Sequence, residues 1–238
     1  MPAKGEATSR AGQFGPGVYA DWRRSSLGEI TEALEHRVIL SLAGPLQDRS
    51  VLDVGCGDGT LAAVIARAGA VRVSGCDIDQ RMVARAWARG ISDGIHIDLA
   101  VARSQALPFP DDTFDVVTCI TVLAFVPDTD NALREMARVL RPGGRLVIGD
   151  LGRWSLWAVR RRIRGWFGAK LWRTARFRTA KELAALAAGA GLIVGPVQGA
   201  IFFPPWVTLA RVMAPLDPLL GKVTTVGAAF LAIQATKP

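Results

Sequence analysis

Between residues 51 and 150, short apolar runs alternate with segments whose apolar positions recur at helical spacing. The runs predict strands at 51–55, 71–77, near 95–101, at Phe114–Ile120 and at Arg145–Asp150, with helices at 60–68, 79–89 and Asp130–Leu140. Strands that are apolar throughout, joined by helices, belong to a parallel sheet covered on both faces, so the chain is α/β. Asp128 or Asp130 offers an N-terminal cap to the helix at 131–140, and Pro142-Gly143-Gly144 ends it. Upstream, Leu27, Ile30, Leu34, Val38, Ile39 and Leu42 predict a helix over Tyr19–Leu42.

The pattern changes after Asp150. Residues 153–167 draw as a helix with Leu156, Val159, Ile163, Trp166 and Phe167 on one side and Arg160, Arg161, Arg162 and Arg164 over much of the remainder. A helix at 180–190 follows, then a strand near 192–203. Pro204-Pro205, Pro215 and Pro218 predict an irregular connection, and Gly227–Thr236 a closing strand. Three parts result: an N-terminal helical cap at 1–44, a core at 45–150, and an inserted segment with completion of the sheet at 151–238.

Composition narrows the classes. The chain has 238 residues, half of them apolar, enough for one large domain with a sizeable core. Its net charge of +8 is local: residues 151–178 hold nine basic residues and no acid, so the rest is near neutral. Three cysteines, an odd number, argue against a disulfide framework or a zinc site, and two histidines exclude a His-rich metal site. No metal is expected. The start, Met1-Pro2-Ala3-Lys4-Gly5, lacks an apolar signal stretch, and no apolar run is long enough to span a bilayer. A reducing cytoplasm is the expected location, with contact at a membrane surface as a further option.

The chemistry concentrates in Val51-Leu52-Asp53-Val54-Gly55-Cys56-Gly57-Asp58-Gly59-Thr60, a strand running through alternating glycines into a helix. Such a turn lets backbone approach a ligand without Cβ clash and points helix-start amides at it. Asp77, in Cys76-Asp77-Ile78-Asp79, ends the next strand about twenty residues on, the separation of a ribose-binding acid. Asp79 can instead cap the following helix. Thr60 stands where a dinucleotide loop needs Gly or Ala, so that fit is poor.

The acid-x-Gly-x-Gly-x-Gly pattern resembles motif I of class I S-adenosylmethionine-dependent methyltransferases. Cys76-Asp77-Ile78-Asp79, the stretch Gln105–Val117 containing Leu107-Pro108-Phe109, and Glu135–Leu146 containing Arg141-Pro142-Gly143-Gly144 are similar to later motifs of that family, in order. The likeness is to its small-molecule branch, which includes the ubiquinone/menaquinone enzymes. It implies a Rossmann-like, doubly wound, seven-stranded, mostly parallel sheet with an antiparallel last strand, an N-terminal helix and a helical lid inserted after strand five. It implies S-adenosylmethionine as cofactor, with Gly55, Cys56, Gly57 and Gly59 beside its methionyl end. Asp53 would orient the loop and favour the ammonium group, Asp77 would hold the ribose, and Ile78 and Met82 would lie near adenine. The family's acid two residues before Gln105 is Arg103 here, leaving backbone at Ser104 and Gln105 for adenine. Cys119 and Ile120 would line the methyl-donor site. A histidine common near Phe125 is absent, and no catalytic base is assigned.

Tyr19, Trp22, Arg23 and Arg24 fit either an N-terminal lid or a helix packed on the sheet. His36 and His96 read as structural. The basic segment fits a lid over an apolar pocket, a membrane-surface helix through 153–176, or, less well, a nucleic-acid contact. The expected function is methyl transfer to a small apolar or amphiphilic acceptor. RNA or protein methylation, or a non-catalytic membrane-associated module that binds the cofactor, are the alternatives. The sequence leaves the acceptor and the oligomeric state open.

Overall fold

The computed structural model describes residues 22–238. Tyr19, the expected start of the first helix, lies outside the described residues. Trp22 and Arg23 are helical, and the long helix α1 (Ser26–Ala43) starts afresh because Ser25 caps it, its hydroxyl accepting from the Gly28 amide at 3.1 Å.

Seven strands form one sheet in the order β3-β2-β1-β4-β5-β7-β6. They are β1 (Ser50–Val54), β2 (Arg72–Asp77), β3 (Asp98–Val101), β4 (Phe114–Ile120), β5 (Leu140–Leu151), β6 (Ile193–Ala200) and β7 (Phe230–Thr236). β7 runs antiparallel to both neighbours, and the other pairings are parallel. Between strands run α2 (Thr60–Arg67), α3 (Gln80–Asp93), α4 (Thr129–Val139), α5 (Leu156–Trp166), α6 (Lys170–Thr174), α7 (Ala180–Gly189), α8 (Val207–Met213) and α9 (Asp217–Val223).

Alternation along each buried strand divides the core. Val51, Val116 and Val147 pack under α1 and α2, whereas Leu52, Val117, Leu146 and Ile148 face α4 and α7 on the other side. The sheet is doubly wound, with its strand order reversing between β1 and β4. The crevice at such a reversal, beyond the carboxyl ends of the strands, is where open α/β sheets bind ligands.

The structure decides three boundaries. Asp128, not Asp130, caps α4, accepting from the Asn131 amide at 3.1 Å. Pro142-Gly143-Gly144 ends the helix but lies inside β5, as an irregularity between the Phe114–Leu140 and Val116–Arg145 pairs. The strand expected near 192–203 stops at Ala200. Ile201 is left-handed (φ 63°), and its amide and that of Phe202 donate to the buried Asp217 carboxylate at 2.9 and 2.8 Å.

The expected irregular connection is largely helical. Pro204-Pro205 precede α8, and Pro218 sits in the first turn of α9, where a missing N–H costs nothing. The helical insertion after β5 is present as α5 and α6. It closes on the sheet through the Arg178–Asp150 ion pair at 2.5 Å, with both side chains buried. The Trp157 indole also donates to the Phe203 carbonyl at 2.8 Å.

Candidate active site

The loop between β1 and α2 is shaped by its glycines. Gly55, Gly57 and Gly59 all take positive φ (75°, 55° and 79°). A Cβ on Gly55 would fall 2.2 Å from Val122 Cγ2, and one on Gly59 3.0 Å from Ala86, whereas Gly57 faces open space. The loop is pinned from β2: the Gly55 and Cys56 amides donate to the Cys76 carbonyl at 2.7 and 2.9 Å. The Gly57 amide donates to Asp77 Oδ2 at 3.0 Å, and the other oxygen of Asp77 takes the Asp79 amide at 2.8 Å. Asp79 also caps α3. Burial raises the Asp77 pKa, and these amides oppose the shift.

Asp53 is buried at the carboxyl end of β1, accepting from Thr118 Oγ1 at 2.8 Å. Burial pushes its pKa up to about 7, with Thr118 pulling it down and Asp77 adding to the rise. A carboxyl held this way ionises readily once a cation arrives beside it.

A cavity of about 120 Å³ opens over this loop. It gathers six of the twelve predicted site residues: Asp53, Gly55, Cys56, Gly57, Met82 and Ile120. Gly59 lies behind the loop against α3, and Asp77 reaches the loop through the Gly57 amide. Ile78 is exposed beyond the end of β2. Ser104 is buried, its hydroxyl 3.2 Å from Gln105 Oε1, and the Gln105 carbonyl is taken by Asn131. Cys119 sits on the opposite side of β4 from Ile120, fully buried among Leu52, Val54 and Leu133. The wall expected of Cys119 and Ile120 is made instead by Ile120 and Thr121.

Further walls come from two residues read from sequence as a possible lid and from α1 residues given no site role there. Trp22 and Arg23 roof the cavity, and Glu32, Glu35, His36 and Ile39 of α1 close one side. Arg23 forms an ion pair with Asp58 in the glycine loop and another with Glu32 at 3.1 Å; Arg89 reaches Asp58 at 3.1 Å. Burial alone would raise Asp58, but the two guanidinium groups hold it below the usual carboxylate range. The segment before α1 thus folds over the loop, and α1 itself packs on the sheet, so the two readings of this region describe neighbouring pieces. The cavity is smaller than the about 300–1,000 Å³ usual for small-molecule sites, and the Arg23–Asp58 ion pair lies at its edge.

Residues 52–148 match the family described as Methyltransferase domain. The chain is 45% identical over 126 residues to methyltransferase GfsG of Streptomyces halstedii, covering 51% of this chain and 43% of that protein. It spans about half the length of most of the curated relatives it matches. With the ubiquinone biosynthesis O-methyltransferase of Parvibaculum lavamentivorans the match extends much further, at 31% identity over 205 residues, 82% of this chain and 78% of that protein. The chain belongs to the S-adenosylmethionine-dependent methyltransferases.

A SAM-dependent methyltransferase of Thermotoga maritima shares its fold, with a TM-score of 0.70 at 21% identity over 95% of this chain and 97% of that one. The site suits this methyltransferase family's cofactor on three counts seen in the geometry. Gly57 leaves its ligand side open. Asp53 is a buried carboxyl suited to a cation. The helix α2 starts at Gly59 with no side chain capping its first amides.

A second, larger hollow of about 890 Å³ lies apart from this site, between α5, α6 and α7. Arg153, Arg173, Trp166 and Trp172 are among its walls. Among the described residues no group of His, Cys, Asp and Glu could hold a metal ion, and no helix is long and apolar enough to cross a membrane.

Proposed function

We propose that this chain transfers a methyl group from S-adenosylmethionine to a small apolar or amphiphilic acceptor, and that it does so resting on a membrane surface. The observation that carries the donor half is the glycine loop held over the β1–β4 crevice, with two carboxyls, Asp53 and Asp77, on it. When bound, the donor supplies an electrophilic methyl on a cationic sulfur. Asp53 would hold the donor's ammonium group, Gly55, Cys56, Gly57 and Gly59 would carry its methionyl end, and Asp77 would accept the ribose hydroxyls. Ile78, Met82 and backbone at Ser104 and Gln105 would flank adenine. Trp22 and Arg23 exclude water from above. The protein's contribution is then alignment in a dry site, the main source of acceleration in an in-line displacement. The relative matched over most of its length methylates oxygen by its name, which supports a hydroxyl acceptor.

The membrane half rests on the burial of α5. Its apolar stripe faces outward: Val159 is 48% exposed, Trp166 81% and Phe167 86%. Two arginines face inward, Arg161 within 5.3 and 5.0 Å of the Trp157 and Trp172 ring centres and Arg162 5.1 Å from that of Phe177. Trp206, just before α8, and Leu219 and Val223 of α9 are exposed as well. Arg160 and Arg164 stand exposed on the same helix. Exposed indoles beside cations suit an anionic lipid interface, where an amphiphilic acceptor would also be found.

Titration calorimetry with S-adenosylhomocysteine tests the donor site, and micromolar binding is expected. A chain that binds neither this compound nor S-adenosylmethionine is not acting as described. Co-sedimentation with phosphatidylglycerol vesicles tests the surface; equal recovery with phosphatidylcholine vesicles, or none with either, removes it.

A further inference from the structure

Glu32, Glu35, His36 and Ile39 follow one another at i, i+3, i+4 and i+7 along α1, and all four line the donor cavity. A stripe with that spacing on an inward face is ordinarily apolar. Here three of its four members are titratable. Glu32 is engaged by Arg23. The side chains of Glu35 and His36 make no hydrogen bond to another described residue. Across the cavity stand Asp53 and Gly55 at the end of β1, and Ile120 and Thr121 at the end of β4.

We propose that Glu35 is the general base for methyl transfer to a hydroxyl acceptor. The proposal rests on the methyltransferase reading of this cavity. The acceptor's O–H bond breaks, its proton passing to a Glu35 carboxylate oxygen, while an oxygen lone pair forms the new bond to the methyl carbon. The carbon–sulfur bond breaks with its electron pair kept by sulfur, which becomes a neutral thioether. The protonated Glu35 then loses its proton to water, and charge and atoms balance.

The neighbouring groups select Glu35. Asp53 is occupied by Thr118, Asp58 by Arg23 and Arg89, and Glu32 by Arg23. Burial is the main influence on Glu35, raising its pKa to about 7; Arg161 from α5 and Arg23 oppose the rise, and Glu32 adds to it. Burial and Arg23 act the other way on His36, lowering its pKa and making it a weaker base. A base whose conjugate acid titrates near neutrality combines availability with proton affinity.

The deciding experiment labels glutamate side-chain carboxyl carbons with ¹³C and titrates the full chain by NMR, with S-adenosylhomocysteine saturating. One carboxyl is expected to titrate well above the ordinary range and to vanish in Glu35→Gln, whose affinity for S-adenosylhomocysteine stays within twofold of wild type. Ordinary titration of every glutamate overturns the assignment. In parallel, transfer of a tritiated methyl to catechol as the phenolic probe should fall at least about 100-fold in kcat in Glu35→Gln with KM within threefold. Glu35→Asp should restore part of the rate. Unchanged kcat in Glu35→Gln, or loss of transfer in His36→Asn while the Glu35 titration persists, also overturns it. Failure of wild type to bind S-adenosylhomocysteine at all instead strikes the donor site.

Discussion

The donor region at 51–150 and the insertion at 151–226 solve opposite problems of burial. In the first, the carboxyls have neighbours fixed by the sheet: buried Asp53 meets Thr118 across β1–β4, and half-buried Asp77 meets Gly57 across the loop. In the second, Arg161 and Arg162 turn inward onto aromatic rings while Val159, Trp166 and Phe167 turn outward. Nothing among the described residues covers that outward face. The contrast separates a site whose partner is specified by its own backbone from a surface whose partner lies outside the chain.

The largest effect is expected where the two regions join. Arg178 and Asp150 are 7% and 0% exposed, so Arg178→Met leaves a buried carboxylate without its cation. Loss of one partner of such a pair costs about 3–5 kcal/mol, measurable by urea unfolding, and adding Asp150→Asn should recover much of it. A loss under about 1 kcal/mol would mean that the backbone bridge between Gly152 and Arg178 and the Trp157–Phe203 hydrogen bond hold the insertion without the ion pair.

Next comes Asp77→Ala. It removes the acceptor for the Gly57 amide and the proposed ribose contact together, and affinity for S-adenosylhomocysteine should drop about 100-fold, or about 2.7 kcal/mol. Trp166→Ser, on the far surface, should leave that affinity unchanged. Equal effects of the two variants would erase the distinction between the regions.

How much of this could be read from the chain follows the same division. The strand–glycine–helix unit and Asp77 were legible because alternation, turn chemistry and a fixed separation are local signals. The end of β6 was not, since it depends on Asp217, sixteen residues from Ile201. Prolines disguised α8 and α9, because Pro218 marks a helix start as readily as a break. The side of α5 that faces inward was equally hidden: the helical wheel is amphipathic, but only packing against Trp172 and Phe177 tells which side is buried. Glu35 escaped for a related reason. Its spacing with Glu32, His36 and Ile39 was available, but a polar stripe on a helix ordinarily faces solvent.

The surface term is smaller than either effect above. Each cation beside an anionic bilayer is worth about 1 kcal/mol, so Arg160→Ala with Arg164→Ala should weaken vesicle binding by about 2 kcal/mol, near 30-fold. Trp206→Ser should weaken binding to anionic and zwitterionic vesicles alike. Arg161→Ala should instead loosen the insertion, since that guanidinium stacks between Trp157 and Trp172.

The smallest effect belongs to the donor cavity's own acids. Burial lifts Asp53 and Glu35 to about 7, so the folded chain binds protons that the unfolded chain has released by that pH. Their contribution to stability is full below the ordinary carboxylate range and is lost as pH rises through 7. Unfolding at pH 5.5 should therefore require more urea than at pH 8. Glu35→Gln should flatten the difference by about 1 kcal/mol, the cavity's access to water reducing what full burial would give. Acids with lowered pKa, Asp58, Asp115 and Glu135 among them, work in the opposite sense only below about pH 4, whereas His36, its pKa lowered by burial and Arg23, opposes within the window and is common to wild type and Glu35→Gln. A cationic ligand beside Asp53 should drive its proton off. Calorimetric enthalpies for S-adenosylhomocysteine at pH 6 should then vary with the ionisation heat of the buffer, and Asp53→Asn should remove that variation. No comparable dependence is expected for vesicle binding, where the exposed groups are arginines charged at every pH in this range.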